Sequence, residues 1–382
     1  MATDRPFADL PAALVDEVLN RTQDISKIML AAFQEMRSEM QPRRQQLEQA
    51  GLLKREGDLQ YVPIPTTSGI DGAFAIERLL ATDLVAAAAV AVEGITPPSE
   101  TRHWPDPYHH VLVEVEHHNV DTGTIARASM IGMELNLATS CPHQVVFIDG
   151  SLTTPLIFFN QALNRIAESP DLKVSQYLLE HIEEYLLAYK TILKAERSDK
   201  AWVAIPKYTT RREFGKRMSW PKAFDDRAML TGILQAGEFT TPSVLEKPER
   251  PWHLNVNPTP AEKRQKLNEL AEEVTNYLST NIRVMYYRPF NWLPALRLEM
   301  SQGVAESPGR FASVIHAVKH QCGTSAMMEP YPLYMADRMA KSLASAIPTF
   351  RQVTSQYMAE TYQGDIGDVF LGLHGYRSET GR

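Results

Sequence analysis

Two short stretches, GIDGAF at 69–74 and FIDGSL at 147–152, each set an Asp-Gly pair beside an apolar run. An Asp-Gly pair commonly makes a tight turn, because Gly accepts positive φ and Asp bonds to its own backbone. That reading needs strand, loop, strand. Here the apolar pattern continues past Gly72 through Phe74, Ile76 and Leu79, and Gly150 leads into helical sequence. The competing reading puts Asp71 in one strand and Asp149 at the end of its neighbour, about 4.8 Å away, where both carboxylates can face one hard cation. Glu134, in SMIGMELNLA, is the only acid between Asp121 and Asp149 and has apolar flanks. An unpaired buried charge costs several kcal/mol, so this Glu must be paired, protonated or metal-bound, and metal ligation is the economical choice. Asp337, in EPYPLYMADRMAKSLA, is a fourth candidate, with a plain salt bridge to the nearby Arg338 or Lys341 as its rival. Such an all-oxygen set suits two Mg²⁺ or Mn²⁺ ions about 3.5–4 Å apart, the arrangement that activates water on one side of a phosphodiester and stabilises the leaving oxygen on the other. His316 and His320 stand one helical turn apart, but no H-E-x-x-H pattern accompanies them, and they read as surface or core histidines.

Phosphodiester chemistry needs cations along the path of the strand. Between Lys200 and Arg217 there are six basic residues against one acid, Glu213, interleaved with Trp202, Tyr208 and Phe214. Lys207, Arg211, Arg212 and Lys216 are the candidate phosphate contacts and the aromatics the candidate base-stackers, against the alternative of a solvated charged face.

These residues need a scaffold to gather them. At 382 residues with 44% hydrophobic and 22% charged side chains, the chain has the composition of a globular protein. A net charge of −7 excludes a globally basic nucleic-acid coat but not a local basic groove. The longest apolar run, Leu84 to Val92, is too short to span a bilayer, and MATDRPFADL lacks a secretory pattern; the expectation is a cytoplasmic protein with no membrane partner. Cys141 and Cys322 stand far apart, which argues against a disulfide framework or structural zinc and predicts two buried thiols.

Period changes mark the elements. Residues 10–53 read as a helical arm or hairpin broken at Pro42, its Met-rich stripe serving core or subunit contact. Ile70–Leu80, Leu84–Glu93 and Val111–His117 read as an antiparallel meander, followed by a helix capped at Asp121 or Thr122 and a buried strand ending at Asp149. Helices at 154–198, a strand at 202–208, a helix from Asp225 to Gly237, a Pro-rich surface loop at 240–260, a helix to Ile282, a strand at 293–300 and two closing helices complete the chain. This order predicts an α/β protein with a mixed sheet and helices on its faces, the order of a ribonuclease H-like core. The predicted division is a helical arm at 1–60 for dimer or partner contacts and a nuclease domain at 61–382, with a helical insertion at about 154–200.

GIDGAF, RASMIGMELNLA, VVFIDGSL, AIPKYTTRREF, MYYRPFNWLPALRLEM and PYPLYMADRMAK, in that order, resemble the NurA family of DNA-end-processing nucleases, over about residues 65 to 345. The resemblance implies a Mn²⁺-supported nuclease acting on single-stranded DNA and duplex ends, with 5′–3′ end resection in repair or in defence against foreign DNA. It assigns the metal ligands to Asp71, Glu134, Asp149 and, at the family's late His or Asp position, Asp337, and it gives Lys207 a contact to the scissile phosphate. It also implies a homodimer that docks on a hexameric HerA-type ATPase. Ala73 stands where the family often has Ser, which removes a hydrogen bond behind the first Asp-Gly without touching a ligand. A non-catalytic DNA-end adaptor of an ATPase motor is the second reading, and an actin-like or sugar-kinase-like ATPase the third.

Overall fold

The computed structural model describes residues 10–373. Among them are ten strands: β1 (Leu53–Arg55), β2 (Thr67–Arg78), β3 (Asp83–Glu93), β4 (Tyr108–Glu116), β5 (Val145–Asp149), β6 (Ala201–Ile205), β7 (Glu238–Thr240), β8 (Ser243–Val244), β9 (Ile282–Arg288) and β10 (Leu296–Ser301). The helices are α1 (Ala12–Gln49), α2 (Thr122–Ser140), α3 (Thr154–Ile166), α4 (Lys173–Lys194), α5 (Glu213–Arg217), α6 (Asp226–Ile233), α7 (Ala261–Thr280), α8 (Gln302–Ala305), α9 (Pro308–Gln321), α10 (Tyr331–Thr361) and α11 (Ile366–Gly372). No described helix is long and apolar enough to cross a membrane.

All ten strands join one mixed sheet, ordered β1-β7-β9-β10-β6-β5-β2-β3-β4 with β8 against β9. The meander β2-β3-β4 is antiparallel, as expected, with a four-residue link from β2 to β3 and a longer one from β3 to β4. β5 runs parallel to both β2 and β6, so each parallel pair needs a helical crossover: α2 returns the chain to β5, and α3 with α4 carries it to β6. This α3–α4 pair is the stretch read from sequence as an insertion. β5 reads as an unbroken apolar run, VVFI, because it lies between two other strands and under helices on both faces. The bulk of the core forms around it, with Phe147, Trp202, Tyr185 and Phe159 among its largest fully buried side chains.

Alternate residues of β2 face different helices. Gly69 meets the first turn of α10, and Ala75 packs with Ala86 and Ile347 of the same layer. Gly72, an odd number of residues from Gly69, meets α2 on the other face. The sheet end holding Asp71 is thereby enclosed by one helix from each side.

The structure departs from the sequence-based elements in several places. α1 runs through Pro42 without a break. The missing N–H costs one bond, but the Arg43–Glu39 ion pair at 2.6 Å spans the site, and Met40 packs closely on Gly232 of α6. Asp121 makes no side-chain cap on α2; its carboxylate accepts from Ser169 Oγ and lies 3.5 Å from Arg165 instead. β9 was not anticipated: IRVMYYR follows α7 without a turn signal, and its length belongs to neither a clear strand nor a clear helix. β1, β7, β8 and α11 are likewise additions, β8 inside the stretch expected to be loop. α6 stops at Ile233, and Gly237 at φ 80° turns the chain into β7 rather than ending the helix. Both cysteines are buried and free, as expected.

Candidate metal centre and active site

The two Asp-Gly pairs have different structural roles. Asp71-Gly72 lies inside β2 and is no turn. Glycine is needed at 72 because a β-carbon there would lie 2.5 Å from Glu134 Oε1 and 2.7 Å from Met130 Cγ, so its absence lets α2 press its carboxylate onto the strand. Asp149-Gly150 does turn, with Gly150 at φ 78°, and carries the chain from β5 into α3. The parallel register pairs Ile70 with Ile148, which brings Asp71 beside Asp149 across the two strands.

Asp337 reaches the same place from the opposite face. A β-carbon at Gly69 would lie 2.5 Å from the backbone of Pro332 and Leu333, so α10 begins in main-chain contact with β2. From Leu333 to Asp337 the helix rises about 6 Å, and from Gly69 to Asp71 the strand rises about 6.6 Å. The two acids therefore advance together. Lys207 enters from the third side: Pro206 ends β6, and the lysine Nζ stands 3.3 Å from Asp337 Oδ1, 3.6 Å from Asp149 Oδ1 and 3.9 Å from Asp71 Oδ2. It also stands 3.3 Å from Glu329 Oε2, an acid that sequence reasoning missed. Glu329 opens EPYPLYMAD, one residue before the Pro330 that starts α10; its place ahead of that helix was the available signal.

One ammonium among so many carboxylates leaves an excess of negative charge, and the protonation equilibria respond. Burial, then the charge of Asp149, pushes Asp71 up to about 8, against the pull of Lys207. Burial also raises Glu134 well above the carboxylate range, with Asp71 and Asp149 adding to it. Asp149 and Glu329 are raised by burial too, Lys207 opposing in both cases. Burial would raise Asp337 as well, but a 2.9 Å hydrogen bond from Lys341 and the charge of Lys207 outweigh it and hold this acid below its ordinary value. The salt bridge expected as the rival to ligation at Asp337 is thus present, made to Lys341, and the acid still faces the cluster. Lys207 resists deprotonation, since its acidic neighbours exceed the cost of its own burial.

The donor set fits a hard divalent cation. Every acid here offers carboxylate oxygen, the ligand type of Mg²⁺ and Mn²⁺, and Asp149 Oδ1 and Glu329 Oε2 are buried without a hydrogen bond. Among the described residues no three His, Cys, Asp or Glu side chains are drawn tightly enough to form a ready-made ion cage; the acids stand apart around the lysine. The fit therefore lies in donor chemistry and in converging elements. His316 bonds the Val62 carbonyl through Nδ1 and His320 Nε2 is buried without a partner; neither is among the groups around Lys207.

The basic stretch is divided between two uses. Lys200 is buried and donates to the Cys141 carbonyl, and Arg212 donates to the carbonyls of Trp220, Pro221 and Phe224, so both hold the fold together. Arg211 bonds the Glu246 carbonyl and Thr153 Oγ1, and Lys216 pairs with the Glu246 carboxylate on the surface. Trp202 and Phe214, expected to stack on bases, are buried, because β6 and α5 carry them into the core; Tyr208 alone of the three is exposed.

Behind the centre lies a second charged group. Arg297, fully buried, donates to both oxygens of Glu213 and to Glu299 Oε1, each at 2.7 Å, and to the Tyr286 hydroxyl at 3.1 Å. Glu299 Oε2 in turn accepts from Ser151 Oγ and Leu152 N, which fixes the turn that follows Asp149.

A mixed sheet with carboxylates brought from both faces to the end of its central strands is the architecture of a ribonuclease H-like hydrolase. A family model of the NurA domain matches residues 66–342, and the chain belongs to the NurA family of nucleases. Solved structures agree in fold: the NurA nuclease from Sulfolobus solfataricus, 12% identical, superposes with a TM-score of 0.58 over 93% of this chain and 99% of its own. Two further NurA crystal structures, one of them solved with manganese, are each 13% identical with a TM-score of 0.51 over 91% of this chain and 99% of theirs. No curated protein matches the chain by sequence.

Proposed function

We propose that the protein is a divalent-metal-dependent deoxyribonuclease that hydrolyses phosphodiester bonds in single strands and at duplex ends. The observation that carries this reading is the convergence of Asp71, Asp149 and Asp337 on Lys207, with Glu134 pressed against Gly72 beside them. Asp71, Glu134, Asp149 and Asp337 would hold two Mn²⁺ or Mg²⁺ ions. When bound, such ions supply an activated water and charge stabilisation for the leaving oxygen.

The chain's own groups do the rest. The four acids must shed protons to act as ligands, and the raised proton affinities of Asp71, Glu134 and Asp149 favour binding near or above neutral pH. Lys207 is half-exposed, stays protonated, and places its ammonium where a scissile phosphate would present a non-bridging oxygen. Glu329 restrains that lysine. Arg211 and Lys216 are the remaining candidates for the flanking phosphates, with Arg212 bracing the loop that carries them.

The wider setting we propose, which family membership supports, is a cytoplasmic homodimer resecting ends in the 5′–3′ direction, in repair or in defence against foreign DNA, on a hexameric HerA-type ATPase. The arm at 1–60 is the proposed contact region, and residues 61–382 the nuclease unit. In support, Leu14, Val18, Ile25, Met29 and Phe33 remain exposed on α1, while Met36, Met40 and Leu47 pack against the body.

End-labelled single- and double-stranded DNA, incubated with Mn²⁺, Mg²⁺ or EDTA and with or without a hexameric motor, tests the reading. Metal-dependent cleavage lost in Asp71→Ala is the expected result. Binding of ends without cutting, under every metal condition, would instead identify an adaptor.

A further inference from the structure

At the active end of the sheet Trp292 stands outside the core, while its aromatic partner Phe290 packs against the core. β10 runs antiparallel to β6, with Glu299 opposite Ala204, so continuing the register sets Lys207 level with Leu296. The loop 289–295 between β9 and β10 therefore projects just beyond the sheet end that carries Asp149 and Lys207. At its tip Trp292 is 47% exposed and lies flat on Phe290, ring centroids 4.5 Å apart and planes within 6°.

The loop that holds the pair is built to be rigid. Leu293 N donates to the Phe290 carbonyl, closing a turn, and Leu293 and Ala295 are buried anchors on its far side. Ala295 N donates to Thr231 Oγ1. Arg288 clamps the base of the loop, bonding the carbonyls of Asn291 at 2.8 Å and Leu293 at 3.0 Å, together with those of Thr231 on α6 and Leu234 just after it. A large apolar side chain held in water by so many internal bonds forgoes its own burial, and a bound partner restores it. The occupant is chosen by position: a strand threaded past Lys207 carries unstacked bases within a few nucleotides of the loop, and a base offers the flat π face that Trp292 lacks on its outer side.

We propose that Trp292, backed by Phe290, is a stacking platform for a nucleobase of the substrate strand. The proposal rests on the nuclease reading and puts Trp292 in the base-stacking role expected of Trp202 and Phe214. Stacking of this kind tolerates any base, so the platform grips a single strand without sequence preference.

Cleavage of an oligothymidylate and of the small diester thymidine 5′-p-nitrophenyl phosphate, compared in the full chain and in Trp292→Ala, tests it. The variant should raise KM for the oligonucleotide roughly 5- to 150-fold, the range of one lost base–aromatic stack. Its kcat on the oligonucleotide and its rate on the small diester should stay unchanged, and Trp292→Tyr should restore most of the affinity. An unaltered KM for the oligonucleotide in Trp292→Ala overturns the platform, as does an equal loss on both substrates. If the wild-type chain cleaves neither substrate with Mn²⁺, the nuclease reading fails instead, and the two failures are distinct.

Discussion

Two cations sit among carboxylates in this molecule, and their surroundings are opposite. Arg297 is wholly buried, and its guanidinium makes hydrogen bonds of 2.7 Å to two acids whose remaining oxygens are also bonded. Lys207 is 40% exposed, faces four acids at 3.3–3.9 Å, and leaves Asp149 Oδ1 and Glu329 Oε2 without a hydrogen bond. The first cluster is complete within the protein. The second has more negative charge than its single ammonium can balance, which is the condition for accepting cations from outside. Satisfied burial marks the structural site, and unsatisfied charge the one proposed for chemistry.

The contrast can be broken from either side. The largest effect is expected for Asp149→Asn, which should reduce cleavage by about a thousandfold, the scale on which one preorganised electrostatic group acts, while thermal unfolding stays at or above the wild-type temperature. A variant that cuts normally would remove Asp149 from the chemistry. Next, Arg297→Met should cost about 3–5 kcal/mol in urea unfolding, because Glu213 and Glu299 would be left buried and uncompensated. A loss below about 1 kcal/mol would mean that the buried cluster is not the structural member of the pair.

A pH series sharpens the comparison. Metal-free, Asp71 titrates near 8 in the folded chain against an ordinary 3.8, so the native state holds the extra proton between those values. Stability should fall as pH rises through that window, and Asp71→Asn should flatten the fall. Mn²⁺ should raise the melting temperature more at pH 8 than at pH 5, where protons compete for the same oxygens. Melting curves with equal Mn²⁺ shifts at both pH values would refute the ligand role. The smallest effect is expected for Glu329→Gln, about 10- to 100-fold in cleavage with little change in unfolding, as for a group that orients another. Loss of stability without loss of rate would place Glu329 with the structural cluster instead.

Much of this was legible in the sequence, for identifiable reasons. β2 to β5 and α2 announce themselves by clean period changes, and an acid inside an apolar run, such as Glu134, stands out because burial is costly. Glu329 escaped because it sits in a loop of mixed composition, where its place just ahead of α10 is the one local sign that the carboxylate turns inward. The basic stretch misled for the opposite reason. Composition cannot distinguish an Arg that meets solvent from one whose donors meet backbone carbonyls, as Arg212 does. Trp202 likewise lies in a five-residue strand buried throughout, while Trp292 is held outward by contacts distant in the chain.

The bare positions at 69 and 72 make β2 a spacer of main-chain thickness, gripped by one helix from above and another from below. The width of the proposed catalytic cleft is then a property of the peptide unit itself, which no neighbouring side chain can tune. Fitting a bulkier substrate or ion would have to come from the loops around this rigid gauge, leaving the grip on the strand as it is.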